Sequence, residues 1–195
     1  GVERNWQKID ERKGISSYKT EIPGSKLVGV KGDAIINSSA EKVLGVLTDD
    51  KHLKEWVDRL KVSQVLEMSG PRQGILYQEY SLPWPLKNRD FVFRAEIFKD
   101  LEGRFHLTVK SVDHPMAPTT TGVRGEVIEG EYIISPLDKS QCRLEVEAIS
   151  DPKGAIPKWV VNIIQKEWPF RTITAIKNQV EKPYIKEFSL LEISN

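Results

Sequence analysis

The 195-residue sequence has few of the residues that form disulfide networks or metal centres. Its single cysteine, Cys142, excludes an internal disulfide framework and a multi-thiolate metal site. Because Cys142 lies in an alternating strand pattern, we expect a buried, unreactive thiol. The three histidines have no metal-ligand spacing, so no bound metal is expected. No apolar run approaches the roughly 18 residues that a membrane span requires.

The sequence also lacks an excess of charge of either sign. Its 29 Lys and Arg residues are interleaved with 28 Asp and Glu residues, for a formal net charge of +1. A nucleic-acid-binding protein would need a concentrated basic face, so nucleic acid is not an expected partner. No repeat, low-complexity tract or Gly/Ser linker divides the chain. We therefore predict a single globular domain over residues 1–195.

The cellular compartment does not follow from the sequence. The chain begins at Gly1 instead of Met, so we expect an upstream segment, either a signal peptide or a tag, to have been removed. A soluble protein of the cytoplasm, of the periplasm or of the extracellular space fits the composition equally well.

The periodicity of apolar residues predicts an α+β architecture. Residues 5–13 are predicted to form a short helix, and the capping-box pattern from Ser38 to Glu41 predicts a second one. Period-2 alternation in the segments between 75 and 149 predicts an antiparallel meander with one apolar face. Residues 157–188 are predicted to form one long closing helix. A helix lying on a curved sheet can leave an apolar chamber between the two layers.

A stiff aromatic segment precedes one of the predicted strands. Pro83 and Pro85 favour extended backbone on both sides of Trp84, so Trp84 belongs to a loop and not to a helix or a central strand. A predicted strand begins directly afterwards, at Asp90. A large amphipathic side chain held on such a loop is expected to cover a cavity or to anchor the protein to a surface.

Three motifs, in this order and spacing, resemble a known family. They are the segment 83–91 (PWPLKNRDF), the residues Asp113-His114-Pro115 followed by Gly122-Val123-Arg124, and the segment 151–159 (DPKGAIPKW). With them the chain resembles StAR-related lipid-transfer (START) domains from about Trp6 to Tyr184.

The resemblance implies a helix-grip (START/Bet v 1-like) fold, in which a curved antiparallel sheet wraps around a long C-terminal helix. It implies a protein that binds one hydrophobic molecule, such as a lipid, a sterol or a fatty acid, and transfers it between membranes or partners. Such a carrier needs no cofactor. We further expect a monomer that contacts membrane surfaces transiently, through a gate formed by Trp84, Pro83, Pro85, Leu86 and Trp159.

The predicted ligand-binding residues lie on the strands and on the closing helix: Tyr77, Glu79, Ser81, Phe91, Phe93, Ala95, Leu107, Val160, Ile163 and Ile164. The resemblance implies that the acidic side chain of Glu79 lies inside the chamber. Three further charged residues, Arg89, Asp90 and Arg124, are predicted to have structural roles.

One position departs from the family pattern. The resemblance implies an arginine six residues beyond Arg89, where this chain has Ala95. The neighbouring Arg94 lies on the opposite face of the strand and cannot replace it. The side chains on the inner face of this strand are therefore all apolar. This favours a less charged ligand, such as a sterol, a fatty acid or a hydrophobic metabolite, over one with a phosphodiester headgroup.

Two other functional classes remain open. Helix-grip folds also include hydrolases and cyclases, and Asp113-His114 resembles an acid–base pair. However, adjacent residues on extended chain point apart, and no activated nucleophile accompanies either His106 or His114. We therefore do not expect an enzyme. The third class is a regulatory module in which the bound lipid changes a contact with a partner.

Overall fold

The computed structural model describes residues 4–189. Of the predicted domain, residues 1–3 and 190–195 lie outside the described part. Within it, ten strands and three helices follow in this order: β1 Gln7–Arg12, β2 Ile15–Thr20, β3 Val28–Ile36, α1 Ala40–Thr48, α2 Leu53–Trp56, β4 Leu60–Met68, β5 Gln73–Tyr80, β6 Arg89–Lys99, β7 Phe105–Ser111, β8 Val123–Arg124, β9 Glu126–Pro136, β10 Cys142–Asp151 and α3 Lys158–Gln179.

All the strands form one sheet. Its order is β1-β2-β3-β10-β9-β7-β6-β5-β4, and every neighbouring pair is antiparallel. The short strand β8 pairs in parallel with the first residues of β6. The connection from β3 to β4 carries α1 and α2 and leads to the far edge of the sheet. The predicted α+β architecture, an antiparallel sheet with a long C-terminal helix, is confirmed.

Helix α3 packs against the part of the sheet formed by β1, β2 and β3. The two layers approach closely where Pro169 faces Gly32: a Cβ atom at Gly32 would lie 2.8 Å from the Cβ of Pro169. Glycine therefore permits the short distance between helix and strand. Further along α3, Ile173 and Ile176 are fully buried in the main core beside Leu144 of β10. Each such side chain contributes roughly 1.5–3 kcal/mol through burial.

The helix predicted over residues 5–13 is wrong, because this segment forms β1. Lys13 and Gly14 have positive φ angles of 50° and 76°, and Arg12 pairs with Ile15. Two left-handed residues between paired strands make a type I′ turn, whose twist matches that of the flanking strands. The turn therefore pairs residues 7–12 with β2.

The first helix begins one residue later than the capping-box pattern predicts. The hydroxyl oxygen of Ser39 accepts a hydrogen bond from the backbone N–H of Lys42 at 3.2 Å, so Ser39 is the N-cap. This bond satisfies one of the free donors of the first turn.

The closing helix is shorter than predicted: it ends at Gln179 and not at 188. Pro183 disfavours helical backbone in the residue before it, and the chain turns back over α1. In this returning segment, residues 180–189, Ile185 is buried, and the backbone N–H of Phe188 donates to the carbonyl of Glu41 at 2.9 Å. Tyr184, predicted to continue the helical stripe, stacks instead on the His52 ring at 4.1 Å.

The contact between α1 and the returning segment predicts a strict requirement for glycine at position 45. A Cβ atom there would overlap the carbonyl oxygen of Lys186. In an exposed helix, Gly→Ala is stabilising by up to about 1 kcal/mol. For Gly45→Ala we expect a loss of about 1–3 kcal/mol in the free energy of unfolding, measured by urea denaturation. Lys42→Ala, in the same helix, is the control. A stabilised Gly45→Ala protein would contradict this packing.

Candidate functional site

A cavity of about 420 Å³ lies between the inner face of the sheet and α3. Helices α1 and α2 contribute to its wall through Leu47, Leu53 and Trp56. The wall is mainly apolar, and such a cavity falls within the range of roughly 300–1,000 Å³ that small-molecule sites occupy. The geometry is that of a binding site for a hydrophobic molecule.

Most of the predicted ligand-binding residues line this cavity: Ser81, Phe91, Phe93, Ala95, Leu107, Val160, Ile163 and Ile164. The alternation of β6 explains the contribution of that strand, because Phe91, Phe93 and Ala95 point inward while Arg94 is exposed on the other face. Helix α3 contributes side chains from Trp159 to Arg171. From Phe91 to Ala95 the inner surface of β6 is therefore apolar, as the departure at Ala95 predicts.

Tyr77 and Glu79 lie outside the cavity, so the face predicted for β5 is wrong. Leu76 pairs with Phe93, and Gln78 pairs with Phe91, so the even-numbered residues of β5 face inward. Glu79 accepts hydrogen bonds from Asn88 at 3.3 Å and from Thr121 at 3.0 Å on the outer face.

The reason for this error is that both faces of β5 are covered. On the outer side, Ile75, Tyr77 and Val92 form a second hydrophobic cluster with Val112 and Ala117 of the connection between β7 and β8. When a strand is buried on both sides, its alternation does not identify the face that lines the cavity.

Two tyrosines that the sequence analysis missed provide polar groups inside the cavity. The Tyr80 hydroxyl donates to the Gln78 side-chain oxygen at 2.5 Å, and the Tyr132 hydroxyl has no hydrogen-bond partner within residues 4–189. Burial raises the pKa of Tyr132 to about 12 and raises the pKa of Tyr80 as well. Both phenols are therefore neutral, and the free Tyr132 hydroxyl can donate to an oxygen of a ligand. Tyr80 lies opposite Arg89 of β6 and Tyr132 lies opposite Leu107 of β7, so strand register places both side chains on the inner face.

Exposed aromatic side chains lie at the mouth of the cavity. Trp84, in the predicted gate loop (residues 82–88, called the gate loop below), is 92% exposed, and Trp159, in the first turn of α3, is 59% exposed. Pro83, Trp159 and Ile163 also line the cavity. Of the other predicted gate residues, Pro85 is exposed and Leu86 is half-buried. An apolar patch therefore continues from the cavity wall to the surface.

Arg89 connects the gate loop to the entry loop of α3 (residues 152–157). Its side chain donates to the carbonyls of Pro152 at 2.7 Å, Lys87 at 2.6 Å and Lys153 at 3.1 Å. These bonds join the two loops that form the mouth, which supports the structural role predicted for this arginine.

Asp90 anchors the same loop on the outer face. Its carboxylate, 1% exposed, accepts from Nε of Arg124 at 2.8 Å and from the Tyr77 hydroxyl at 2.7 Å. Burial alone would raise the pKa of Asp90, but the hydrogen bonds from Arg124, Tyr77 and Thr120 outweigh it and lower the pKa. Arg124 also donates to the carbonyl of Pro118 at 2.6 Å. The charged residues predicted as structural thus hold the loops around the cavity.

The histidines weighed as catalytic groups lie outside the cavity. The His106 ring lies on the outer face between Glu131, at 2.5 Å, and Asp100, at 2.7 Å. His114 lies 3.5 Å from Glu67. Residues 4–189 contain no helix that is both long and apolar enough to cross a membrane.

Comparison with known proteins identifies related sequences over most of the chain. A family model described as "START domain" matches residues 2–170. Phosphatidylcholine transfer protein of Bos taurus is 29% identical over 80% of this chain and 75% of its own length. START domain-containing protein 10 of Homo sapiens is 31% identical over 63% of this chain and 42% of its own length. Uncharacterized protein PA1579 of Pseudomonas aeruginosa is 22% identical over 91% of this chain and 88% of its own length.

Solved structures show the same fold. Human STARD10 superimposes with a TM-score of 0.81 at 24% identity, covering 91% of this chain and 74% of that one. A STAR-related lipid transfer protein from Xanthomonas axonopodis gives a TM-score of 0.79 at 25% identity. The match covers 91% of this chain and 99% of that one. Zhui aromatase/cyclase from Streptomyces gives a TM-score of 0.56 at 12% identity, covering 80% and 94%, a likeness of fold alone.

The lowered pKa of Asp90 predicts how its contribution to stability depends on pH. A carboxylate with a lowered folded-state pKa contributes stability above its unfolded pKa of about 3.9, and that stability is lost as the pH falls through the folded pKa. We expect Asp90→Asn to lower the free energy of unfolding by roughly 1.5–3 kcal/mol between about pH 5 and 8.

The difference in the free energy of unfolding between Asp90→Asn and wild type should narrow below about pH 4. Urea denaturation across this pH range measures it. Glu181→Gln is the control, because the Glu181 carboxylate is exposed and has no side-chain partner within residues 4–189. An Asp90→Asn difference that stays constant in acid would contradict the prediction.

Proposed function

This chain belongs to the START domain family, and on that premise we propose that it binds one hydrophobic molecule in its internal cavity and transfers it between membranes or partners. Relatives named phosphatidylcholine transfer protein and a structural neighbour named STAR-related lipid transfer protein support transfer as the activity. We also propose that residues 1–195 act as a single monomeric domain.

The observation that carries this proposal is the apolar cavity with an apolar mouth. Each methylene group of a ligand that leaves water for this cavity contributes about 0.8 kcal/mol, so a long chain or a fused ring system supplies the binding energy without strong polar contacts. The polar groups at Gln78, Tyr80 and Tyr132 would then orient the ligand.

The size and wall of the cavity narrow the class of ligand. About 420 Å³ accommodates a single acyl chain or one sterol-sized molecule better than a lipid with two acyl chains. Ala95 leaves the middle of β6 without the arginine that the family pattern implies. We therefore propose a fatty acid, a sterol or a similar hydrophobic molecule as the ligand, and not a phosphodiester held at position 95.

The exposed aromatic residues support release at a membrane. Trp side chains are enriched at the membrane–water interface, where the apolar ring and the polar N–H are both accommodated. We propose that Trp84 and Trp159 insert there transiently while the gate loop and the start of α3 separate. This opening would expose the cavity directly to lipid.

Catalysis is not part of the proposal. His106 and His114 do not face the cavity, so neither is positioned to act on a bound molecule. A regulatory module remains distinguishable by experiment. A carrier accelerates the movement of a labelled lipid between vesicles, whereas a protein that binds the same lipid without accelerating its movement acts as a sensor.

Filling the cavity should abolish binding without unfolding the protein. In Ala95→Phe, a ring occupies the space of the ligand, so we expect the signal of co-purified hydrophobic molecules in native mass spectrometry to fall by at least about ten-fold. Arg94→Phe places the same ring on the outer face of β6 and is the matched control. Equal ligand occupancy in the two variants would refute the assignment of the cavity.

Removing the exposed aromatic residues should slow transfer and leave the fold intact. Because burial of one large aromatic contributes roughly 1.5–3 kcal/mol, we expect Trp84→Ala and Trp159→Ala each to reduce vesicle-to-vesicle transfer by at least about ten-fold. Leu101→Ala, at a fully exposed apolar residue of the turn between β6 and β7, is the control. The assay follows a fluorescent fatty acid. Unchanged rates in both Trp variants would argue against a gate at this mouth.

A further inference from the structure

The gate end of the cavity contains a buried positive charge without a counter-ion. Arg89 is 4% exposed, lines the cavity, and lies on the same face of β6 as Phe91 and Phe93. No carboxylate oxygen lies within 4.0 Å of its guanidinium nitrogens in residues 4–189. Burial accordingly lowers the pKa of Arg89. A buried charge that lacks an opposite charge is costly, which points to an anion as its missing partner.

The hydrogen bonds of Arg89 leave part of its donor capacity free. A guanidinium carries five N–H groups, and the carbonyls of Lys87, Pro152 and Lys153 accept from three of them. Two N–H groups, one on each terminal nitrogen, therefore have no acceptor within residues 4–189. The carbonyl bonds hold the guanidinium in place, so an anion that binds it does not have to order a flexible side chain.

Several carboxylates along the cavity wall have cationic partners. Asp58 pairs with Arg171 at 3.7 Å, and Glu167 lies 3.1 Å from Arg12. Close to the mouth, Asp151 pairs with Lys153 at 3.1 Å. The neighbouring Asp90 points to the outer face, where it binds Arg124. Three other charged residues that line the cavity, Asp50, Arg59 and Arg72, also have no ion pair within residues 4–189, but they are exposed, whereas Arg89 is buried.

The start of α3 adds positive potential at the same end. Pro157 is the N-cap of this 22-residue helix and provides no side-chain cap, and the first turn contains no acidic residue. The backbone N–H groups of Lys158 and Trp159 have no acceptor within residues 4–189. An uncapped helix N-terminus favours a negative charge nearby. It lies directly after the entry loop that Arg89 contacts.

We propose that Arg89, together with the start of α3, forms an anion-binding end of the cavity, and that the ligand is a single-chain amphiphile with an anionic oxygen head group, a carboxylate or a phosphate monoester. The head group binds at the gate, and the chain extends between β6 and α3 along Phe93, Ala95 and Ile164. This inference rests on the proposed function, because it specifies the ligand of the same cavity.

The test compares ligands that share one chain and differ in the head group. Hexadecanoic acid, hexadecanol and hexadecyl phosphate displace the neutral probe Nile red from the delipidated full chain, at about pH 8, where a carboxyl is ionised. All are used below the concentrations at which they aggregate. We expect at least one anionic compound to bind about ten-fold or more tightly than the alcohol, because charge-assisted hydrogen bonds are the stronger ones. The anionic compound that binds more tightly identifies the head group.

Three variants then test whether Arg89 causes the preference for the anionic compounds over the alcohol. Arg89→Gln should bring the anionic compounds to the affinity of the alcohol, and Arg89→Lys, which keeps the charge, should retain part of the preference. Arg124→Gln removes the ion pair on the outer face and should lower the unfolding temperature while leaving the preference intact. Unfolding temperatures are measured for all three variants, since Arg89 also joins the two loops.

The outcomes separate this inference from the proposed function. Equal affinities of wild type for acid, phosphate and alcohol would overturn the anion-binding end and leave a hydrophobic carrier. A preference that survives in a folded Arg89→Gln protein would also overturn it. Failure of all three compounds to displace the probe, together with an absence of co-purified ligand, would overturn the proposed function itself.

Discussion

The structure depends on one constraint: the apolar inner face of a wide sheet has to be covered, and one helix covers only part of it. α3 packs closely on β1, β2 and β3, where Gly32 admits Pro169. Beyond that contact, the inward side chains of β6 and β7 border a cavity instead of a helix. Water is a poor occupant of an apolar space, so this part of the core is completed by a ligand. The same packing that stabilises the fold therefore produces the binding site.

The mouth of the cavity is held by two adjacent residues that point to opposite faces of β6. Arg89 points inward and binds carbonyls of both loops at the mouth, and Asp90 points outward to Arg124 and Tyr77. Because neighbouring strand residues alternate between faces, a single Arg-Asp pair can fasten the gate loop on both sides of the sheet. This arrangement also explains why the two charges do not neutralise each other. The consequence is an arginine inside the cavity that has no opposite charge beside it in the described part of the chain.

Much of the fold could be predicted from local patterns. The meander, the long closing helix and the exposed Trp84 between two prolines all followed from periodicity and backbone chemistry. The errors occurred where pairing or packing with another segment determines the outcome. Residues 7–12 became a strand through the Lys13-Gly14 turn and pairing with β2, and the closing helix ended early because residues 180–189 pack on α1.

The class of the fold, the motifs of the family and the apolar row Phe91, Phe93 and Ala95 can be predicted from residue type and short-range spacing alone. Which face of β5 lines the cavity depends on packing in three dimensions. The connection between β7 and β8 covers Tyr77 and Glu79, and the register with β6 turns Gln78 and Tyr80 inward. Packing also leaves Arg89 without a counter-ion within residues 4–189. The alternation of side chains along a strand shows that the strand has two faces, but only packing determines which face encloses the ligand.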